Sequence, residues 1–292
     1  MSATPGSMPG GTYQPLVSVV IPVHNGGPHL REAVKSALAQ DYRNIEVVVI
    51  DNASTDGCIE QLQDLTDDRL VVQRHQDLVP ASANWTRAVL AARGEYVKLL
   101  CADDLIEPGC VGRQATILSA RPRVALVCGR RRLLREDGTV LKDAFGLAGL
   151  QGLISGREAI RKCVRAGGNL FGEPACVMFR TPALLERLPW SEEAGYVVDL
   201  EMYFAVMRSG QLWADSEVVA SFRVSLSSWS AAVSDEQARA FDWLIDQQKR
   251  HHPGLLSTRD VVQGHLASRV RSRSRALLYA LERRRSASTV GA

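Results

Sequence analysis

The stretch LVSVVIPVHNGGPHLREAVKSALAQDYRNIEVVVIDNASTDG, residues 16–57, decides the fold class. It contains two runs, 16–23 and 45–50, in which nearly every residue is apolar or β-branched. Such runs are typical of strands buried on both faces of a sheet. Between them, apolar residues recur at helical spacing from Leu30 to Leu38. The stretch therefore predicts a β-α-β unit.

The same alternation continues to about residue 128. It predicts strands at 70–73, 96–100 and 124–128, and helices near 56–65, 82–92 and 108–120. Buried strands that alternate with short helices indicate a mostly parallel sheet with helices on both faces, so the predicted class is α/β. Weaker patterns predict a basic hairpin after Arg130, helices at 156–165 and 200–209, an extended segment at 174–180, a strand pair over 212–224, and two closing helices at 235–250 and 259–285.

Composition sets the expected organisation of the chain. With 292 residues, 46% of them apolar and 23% charged, there is ample material for a large core. We expect one domain over 16–230, preceded by a disordered leader over 1–15 and followed by a basic, helical extension over 231–292. The sequence has no signal-peptide pattern and no apolar run of roughly 20 residues, so we expect a soluble, cytoplasmic protein.

The net charge of +3 is unevenly distributed. Residues 1–230 carry 24 Lys and Arg against 26 Asp and Glu, whereas residues 231–292 carry 11 against 6. This distribution argues against a protein-wide nucleic-acid surface, and we expect no nucleic-acid partner. The six cysteines are dispersed without a CxxC pair or zinc-ligand spacing, which favours reduced core residues.

Polar residues follow three of the predicted strands directly, at 24–27, 51–56 and 101–104. Ligands of doubly wound sheets bind at the carboxyl ends of the strands, so these segments form the candidate site. No GxGxxG follows the first strand and no GxxxxGKS/T occurs, which excludes the dinucleotide-binding and P-loop classes. A nucleotide site here must therefore neutralise phosphate charge without a glycine-rich loop.

Asp103 and Asp104 offer a way to do so. Adjacent carboxylates at a strand end hold Mg²⁺ or Mn²⁺ through one or two oxygens, while the other positions of the ion go to phosphate and water. The alternative is that the pair, followed by Pro108, forms a turn that starts the next helix.

These motifs together resemble the family 2 glycosyltransferases, which have the GT-A fold. The resemblance is carried by the stretch quoted first, by ANWTRAVLAARGEYVKLLCADDLIEPG, and by GNLFGEPACVMFR and YVVDLEMYFAVMRSG, so it covers roughly residues 15–230. It implies a nucleotide-binding half over 16–129 and an acceptor half over 130–230. It also implies an inverting transferase that uses a nucleoside diphosphate sugar, expected to be UDP-linked, with Mg²⁺ or Mn²⁺. The acceptor would be a hydroxyl-bearing glycan, lipid-linked sugar or small molecule.

The resemblance also gives roles to individual residues. Asp199 matches the catalytic base, and Asp103 and Asp104 match the end of the metal-binding DxD element. Donor contacts are expected from Pro22, Val23, Asn25, Asp51, Asn84, Asp103 and Arg223. Inverting transfer needs a base because the acceptor hydroxyl loses its proton as the new bond forms. The dipole of the helix predicted at 200–209 should keep Asp199 ionised, and the alternative is that Asp199 only caps this helix.

Three positions depart from the family pattern. Cys101 stands where the first acid of DxD is usual, and a thiol is a poor ligand for hard cations. Asn52 replaces the second acid of a strand-end pair, and Ser225 stands where many relatives carry a metal-binding His. We therefore expect the metal site to depend on Asp103 and Asp104.

Three other features have competing explanations. Trp85, beside Asn84, either lines the donor sugar or anchors the core at a helix start. Glu173 either contacts the acceptor or sugar, or lies in a surface turn. The pair His251-His252 precedes Pro253 and predicts a helix end rather than a metal site.

Two alternative functions stay open at this point. A sugar-nucleotide nucleotidyltransferase also combines an α/β domain with paired acids, but it needs a basic loop after the first strand, and 24–27 contains no Lys or Arg. A non-catalytic nucleotide-sugar-binding protein is suggested by the three departures. The retained acids Asp103, Asp104 and Asp199 argue against that function.

The segment 259–285 has the composition of a basic amphipathic helix. It contains eight arginines against Asp260 and Glu282, and Val and Leu recur at roughly helical intervals. Such a helix can make a peripheral contact with an anionic membrane. The alternative, favoured by the breaks at Ser272 and Ser274, is that its Val and Leu face packs on the catalytic domain and its arginines face water.

Overall fold

The computed structural model describes residues 14–224 and 237–290, with side chains up to residue 274. The predicted leader 1–15 lies almost entirely outside these residues, as do Ser225 and the start of the predicted helix 235–250. Within the described residues, ten strands form one mixed sheet.

The first half of the chain builds a parallel block. Strands β1 (Val17–Val23), β2 (Ile45–Asn52), β3 (Leu70–His75) and β4 (Tyr96–Leu99) pair in the order β3-β2-β1-β4, all parallel. Helices α1 (His29–Leu38), α2 (Ala81–Leu90) and α3 (Cys110–Ala120) alternate with these strands, and α2 packs on β1 and β2. This block confirms the predicted α/β class.

The second half widens the sheet and mixes its directions. It adds β5 (Leu105–Ile106), β6 (Val124–Arg135), β7 (Val140–Phe145), β8 (Gly152–Ser155), β9 (Val177–Arg180) and β10 (Gln211–Val224). The full order is β3-β2-β1-β4-β9-β6-β10-β5, with β7 beside β6 and β8 beside β10. Strands β6 and β10 run parallel to β4, and the other four run against them. Helices α4 (Gly156–Ala166), α5 (Thr181–Leu185) and α6 (Val198–Met207) belong to this half.

The helix predicted at 56–65 is wrong, because only a 3-10 turn at Glu60–Leu62 forms there. Gly57 has a φ of +79°, which a right-handed helix does not accept. The Asp56 carboxylate accepts hydrogen bonds from the backbone N–H groups of Cys58 and Gly27, so the segment is held as a loop against the end of β1.

The strand pair predicted over 212–224 is also wrong, because this segment is the single strand β10. The polar residues at its centre, which a strand pair would place in its turn, lie at a register shift against β6 between Ala214 and Val218. There the Asp215 carboxylate pairs with Arg113 and accepts a hydrogen bond from the backbone N–H of Glu217. A bulge uses polar residues just as a turn does, which explains the error.

Two helices follow residue 236. Helix α7 (Gln237–His251) ends at His251 as predicted, and α8 (Thr258–Val290) packs on α7 and α4. Over its described side chains, α8 does not bury the Val and Leu face, because Val262, Leu266 and Val270 are each more than half exposed. Of the two alternatives for this segment, the packing of its Val and Leu face on the catalytic domain is therefore wrong for these three residues. Within the described residues, no helix combines the length and apolar content required to cross a bilayer.

Candidate active site

Parallel pairing of β1 with β2 and β4 brings the three polar segments to one edge of the sheet. Val23 lies in register with Asp51, and Val20 lies in register with Leu99. Pro22 and Val23 are buried at the end of β1. The segments 24–27, 51–56 and 101–104 consequently open onto one region.

Asn25 ties the loop after β1 to the loop after β2. Its backbone N–H donates to Ser54 Oγ at 2.9 Å, and its side-chain oxygen accepts from the Thr55 N–H at 2.9 Å. The residue has a φ of 53°, a conformation that Asn tolerates better than most residues. His24 Nδ1 lies 2.8 Å from the carbonyl oxygen of Asn52. The two loops form one interlocked wall.

Asp51 lies near the end of β2, at the base of these two loops, and is buried, with 1% of its surface exposed. One carboxylate oxygen accepts a hydrogen bond from the Ser54 N–H at 3.0 Å. The other oxygen lies 3.3 Å from Arg74 Nε, and Arg74 is half-exposed and also pairs with Glu60. The Asp51 carboxylate is therefore fixed in position, and its arginine partner is partly exposed to solvent.

Asn52 has a structural reason to be an amide. Its Nδ2 donates to the carbonyl oxygen of Val79 at 2.8 Å, and its Oδ1 accepts from the Val79 N–H at 3.1 Å. A carboxylate accepts hydrogen bonds but donates none at neutral pH, so Asp at this position would lose half of the pair. Asn52 thus holds the segment that leads into α2.

Asn84, on α2, presents a buried polar atom to the same edge. Its Nδ2 donates to the carbonyl oxygen of Ile50 at 3.3 Å, whereas its Oδ1 is buried and has no hydrogen-bond partner within the described residues. An unpaired buried acceptor costs free energy, so its presence at this edge of the sheet points to a ligand group. Trp85 instead stacks edge-on against Trp190, with ring centroids 5.1 Å apart, which favours the core-anchor explanation.

The end of β10 holds the turn that carries Asp103 and Asp104. The backbone N–H of Arg223 donates to Asp104 Oδ1 at 3.2 Å, and Arg223 Nε donates to the carbonyl oxygen of Asp103 at 3.4 Å. Arg223 Nη2 also pairs with Glu32 on α1 at 2.7 Å. A phosphate that approached Arg223 would therefore compete with Glu32.

The two acids of this turn share a desolvated position. Burial raises the pKa of Asp103, and burial followed by the charges of Asp103 and Glu173 raises the pKa of Asp104 well above its usual value. A cation offsets this crowding of negative charge, and carboxylate oxygens are the ligands that Mg²⁺ and Mn²⁺ prefer. The residues therefore fit a divalent ion.

The protein would supply few ligands to such an ion. Among the described residues, no group of three or more His, Cys, Asp or Glu side chains is arranged to hold a metal. Burial and the charges of Asp104 and Asp103 raise the pKa of the Cys101 thiol well above its usual value, so the thiol stays protonated. This agrees with a Mg²⁺-type site, in which one or two carboxylates act together with substrate phosphates.

Asp199 lies in the first turn of α6 and is held by the loop after α4. Asn169 Nδ2 donates to Asp199 Oδ2 at 2.9 Å, and the Leu200 N–H donates to Asp199 Oδ1 at 2.7 Å. The Asn169 side-chain oxygen accepts from the backbone N–H groups of Phe171 and Gly172, which fixes the loop itself. The residue that precedes α6 is Val197, so Asp199 is not the N-cap.

Burial raises the pKa of Asp199 to about 7, against the lowering effect of the Leu200 N–H and with a further increase from the charge of Glu173. The expectation that the helix dipole keeps Asp199 ionised is thus wrong, because desolvation outweighs the dipole. A carboxyl with this pKa exchanges its proton near neutral pH.

Glu173 faces the site, which argues against its explanation as a surface turn. It forms an ion pair of 2.5 Å with the buried Arg131. Its charge raises the pKa of both Asp104 and Asp199, so it lies close enough to affect both acidic positions. The site therefore has two acidic positions, the pair Asp103 and Asp104 and the single Asp199, and the ion-paired Glu173 affects Asp104 and Asp199.

The sequence of this chain matches a known protein family. The model of Glycosyl transferase family 2 matches residues 18–188, more than half of the sequence. The chain belongs to this family. The predicted family and the predicted GT-A type fold are confirmed.

Relatives within family 2 agree with this assignment. A Rickettsia typhi protein described as an uncharacterised glycosyltransferase is 26% identical over 228 residues, covering 73% of this chain and 65% of the relative. The chain thus spans less than two thirds of the length of that relative.

Two solved structures have the same fold. S. aureus TarS 1–349 in complex with UDP-GlcNAc has a TM-score of 0.62 at 15% identity, covering 80% of this chain and 66% of that one. A mannosyltransferase from Pyrobaculum calidifontis in complex with GDP-Man and Mn²⁺ has a TM-score of 0.63 at 20% identity, covering 88% and 74%. At these identities the likeness concerns the fold.

Several residues of this candidate site were not found from the sequence. Asn169, Arg131, Arg74 and Glu32 contact the predicted acids or Arg223 from other elements. A weak signal existed for Asn169, since a lone polar residue between Gly168 and Gly172 suggests an Asx-type turn. The arginines and Glu32 carry no such local signal.

Proposed function

We propose that this family 2 chain is an inverting glycosyltransferase that moves a sugar from a nucleoside diphosphate sugar, UDP-linked, to an acceptor hydroxyl. One observation carries the proposal. The charge of Glu173 raises the pKa of Asp199, which is about 7, and also the pKa of the desolvated Asp104, which supports a single region that holds both acids. The two solved structures of the same fold, with UDP-GlcNAc and with GDP-Man and Mn²⁺, support a sugar-nucleotide donor.

The nucleoside would lie against the wall at the ends of β1 and β2. In the proposal, Pro22, Val23 and Asn25 line the base and ribose, and Asp51 accepts a hydrogen bond from the base. Support comes from the rigid hydrogen bonding of Asn25 and from the fixed, buried Asp51 carboxylate. The unpartnered Asn84 Oδ1 is proposed to accept from a donor hydroxyl or amide.

Asp103 and Asp104 would hold Mg²⁺ or Mn²⁺. When bound, the ion supplies positive charge that stabilises the departing diphosphate. Asp103 is also proposed to contact the donor. Arg223 is proposed to bind phosphate after exchange of its partner Glu32.

Asp199 is proposed as the general base. In its ionised form the carboxylate removes the acceptor proton while the anomeric carbon–oxygen bond to the diphosphate breaks and the new bond forms on the opposite face. Asn169 orients this carboxylate, and the Glu173–Arg131 pair sets the charge around it. We further propose that residues 16–230 form the catalytic domain and residues 231–292 a distinct extension.

The test combines donor binding with transfer. Thermal shift of the full chain is measured with UDP, GDP and other nucleoside diphosphates, with and without Mn²⁺, because a tight ligand raises the melting temperature. The best nucleotide is then titrated by calorimetry into Asp103→Asn/Asp104→Asn. We expect metal-dependent binding to be lost, whereas Asp68→Asn, an exposed acid far from the site in sequence, should bind normally.

Two results would contradict the proposal. One is unchanged affinity of the double variant for nucleotide and Mn²⁺. The other is the absence of both sugar transfer and donor hydrolysis by a protein that binds the nucleotide tightly, which would favour a non-catalytic binding protein.

A further inference from the structure

Helix α8 is held on the molecule by its small and polar residues. Asp260 is fully buried and pairs with Arg161 at 3.1 Å and with Arg165. Four residues on, Gly264 leaves no space for a side chain, since a Cβ there would lie 2.9 Å from the backbone carbonyl oxygen of Val164 on α4. Ser268, a further four residues on and 3% exposed, donates to Asp242 Oδ1 at 2.7 Å.

These contacts determine which face of α8 turns outward. Residues four apart lie on one face of a helix, so 260, 264 and 268 form the inner face. A rotation of α8 about its axis would force a side chain into the space next to Gly264 and would separate Asp260 from its two arginines. The helix is therefore fixed with its inner face towards α4 and α7.

The outward face carries a stripe of large apolar side chains, which we call the outer stripe. It consists of Val262, Leu266 and Val270, which are 55%, 60% and 64% exposed. Isolated exposed apolar residues are normal, but three at successive helical turns form a continuous patch. The patch has no covering element within the described residues.

The surroundings of the outer stripe are basic. The outer stripe lines a groove of about 780 Å³ together with Arg165, Arg259 and Arg271, and none of the described residues that line this groove is acidic. Arg273 is exposed one turn further along α8. Asp260, the acid of this segment, is buried and neutralised. The helix continues to Val290, and residues 275–290 add four more arginines against one Glu.

An apolar stripe bordered by arginines is complementary to an anionic lipid surface. Val and Leu enter the boundary between headgroups and acyl chains, and each nearby Arg is attracted to anionic headgroups. A second copy of the chain is a poorer occupant, because it would bring the same arginines against these and repel them. Charge therefore distinguishes the two occupants.

We propose that the outer stripe and its arginines form a docking surface for an anionic phospholipid membrane. This inference goes beyond the proposed function and does not depend on it. The surface adjoins the candidate site, since a Cβ at Gly168 would lie 3.1 Å from Arg271, and Gly168 directly precedes Asn169, the partner of Asp199. Docking would thus bring the Asp199 side of the candidate site to the membrane.

The test is co-sedimentation of the full chain with vesicles of phosphatidylcholine alone and of phosphatidylcholine with one quarter phosphatidylglycerol. We expect binding to the anionic vesicles at low salt, release at high salt, and little binding to the neutral vesicles. Val262→Ser/Leu266→Ser/Val270→Ser and, separately, Arg259→Gln/Arg273→Gln should each weaken partitioning by about tenfold or more.

The matched control is Leu90→Ser/Val140→Ser/Leu153→Ser, which removes three equally exposed apolar side chains from other elements and should bind like wild type. Circular dichroism checks that each variant is folded. The proposal is overturned if wild type ignores anionic vesicles at low salt, if it binds both kinds of vesicle equally, or if the outer-stripe variant binds undiminished. If wild type is a dimer and the outer-stripe variant is a monomer, the outer stripe is a subunit interface and the membrane proposal is overturned.

Discussion

The side-chain amide of Asn169 donates a hydrogen bond of 2.9 Å to the carboxylate of Asp199, thirty residues away in sequence. The same amide donates to the carbonyl oxygen of Gly172, and its oxygen accepts from two backbone N–H groups. The candidate base is therefore oriented by a loop that is itself closed by one residue. Helix α6 alone would leave the carboxylate with only the Leu200 contact.

Asp199→Asn preserves the shape of the side chain but cannot accept a proton. Transfer should fall by roughly 10²- to 10⁴-fold, while nucleotide affinity stays within about twofold of wild type. In wild type the rate should rise with pH through about 7 and then level, because only the ionised carboxylate works as a base. Near-normal transfer by this variant would mean that another group removes the proton.

Asn169→Asp should move the acid side of the pH–rate profile upward. The exchanged side chain still accepts from Phe171 and Gly172 but no longer donates to Asp199, and its own charge opposes ionisation of Asp199. A shift of about one pH unit or more is expected. Asn44→Ala, which removes an exposed amide bonded to the backbone of Gln14, is the control and should leave the profile in place. A lower maximum with an unmoved profile would indicate a purely structural role.

Cys101→Asp should strengthen metal binding. A third carboxylate beside Asp103 and Asp104 adds a hard ligand, so we expect Mn²⁺ affinity in the presence of nucleotide to rise by about tenfold. Without metal the same variant should melt at lower temperature than wild type, because like charges crowd a desolvated site. Cys101→Ser, which adds no charge, should change neither quantity. Calorimetry and thermal melts with and without Mn²⁺ measure both effects, and unchanged Mn²⁺ affinity would count against the site.

Asp260→Asn should reduce the free energy of unfolding by about 1–3 kcal/mol at pH 7, because it leaves Arg161 and Arg165 without their partner and these arginines are partly solvated. Hydrogen bonds from Ser257 and the two arginines hold the pKa of Asp260 below its usual 3.8, against burial, so its contribution is present above that pH and shrinks as the pH falls further. Urea melts at pH 7 and pH 3 measure the difference. Asp246→Asn, at a half-exposed pair with His265, is the control and should change little.

Much of the fold could be predicted because the buried strands have a clear sequence pattern. The runs that became β1 and β2 are apolar on both faces, and their polar C-terminal neighbours identified the edge where Asp51 and Asp103 lie. The wrong predictions, the helix at 56–65 and the strand pair over 212–224, arose where the same polar residues are compatible with two kinds of local structure. The polar stretch around Asp215 serves a bulge and not a turn, and Asp56 holds a loop instead of starting a helix.

The contacts that complete the site could not be predicted, since they join distant loops. Nothing near Asp199 in sequence points to Asn169, and nothing near Asp51 points to Arg74. The face by which α8 packs could not be predicted for a different reason. Hydrophobic periodicity gives weight to large side chains, whereas close packing against α4 and α7 is decided by a residue without a side chain, Gly264.

The buried carboxylate of Asp260 also limits what a shortened version of this chain can report. Cutting the chain ahead of α8 removes the partner of Arg161 and Arg165 and leaves two unpaired guanidinium groups on α4. The same cut uncovers the apolar surface over which Gly264 packs. The shortened protein would bind surfaces non-specifically more than the whole protein does. Its adsorption to vesicles, plastic or column resin would be an artefact of the truncation. Substitutions on the outer stripe leave the packing of α8 on α4 and α7 intact, so they are the better test of membrane binding.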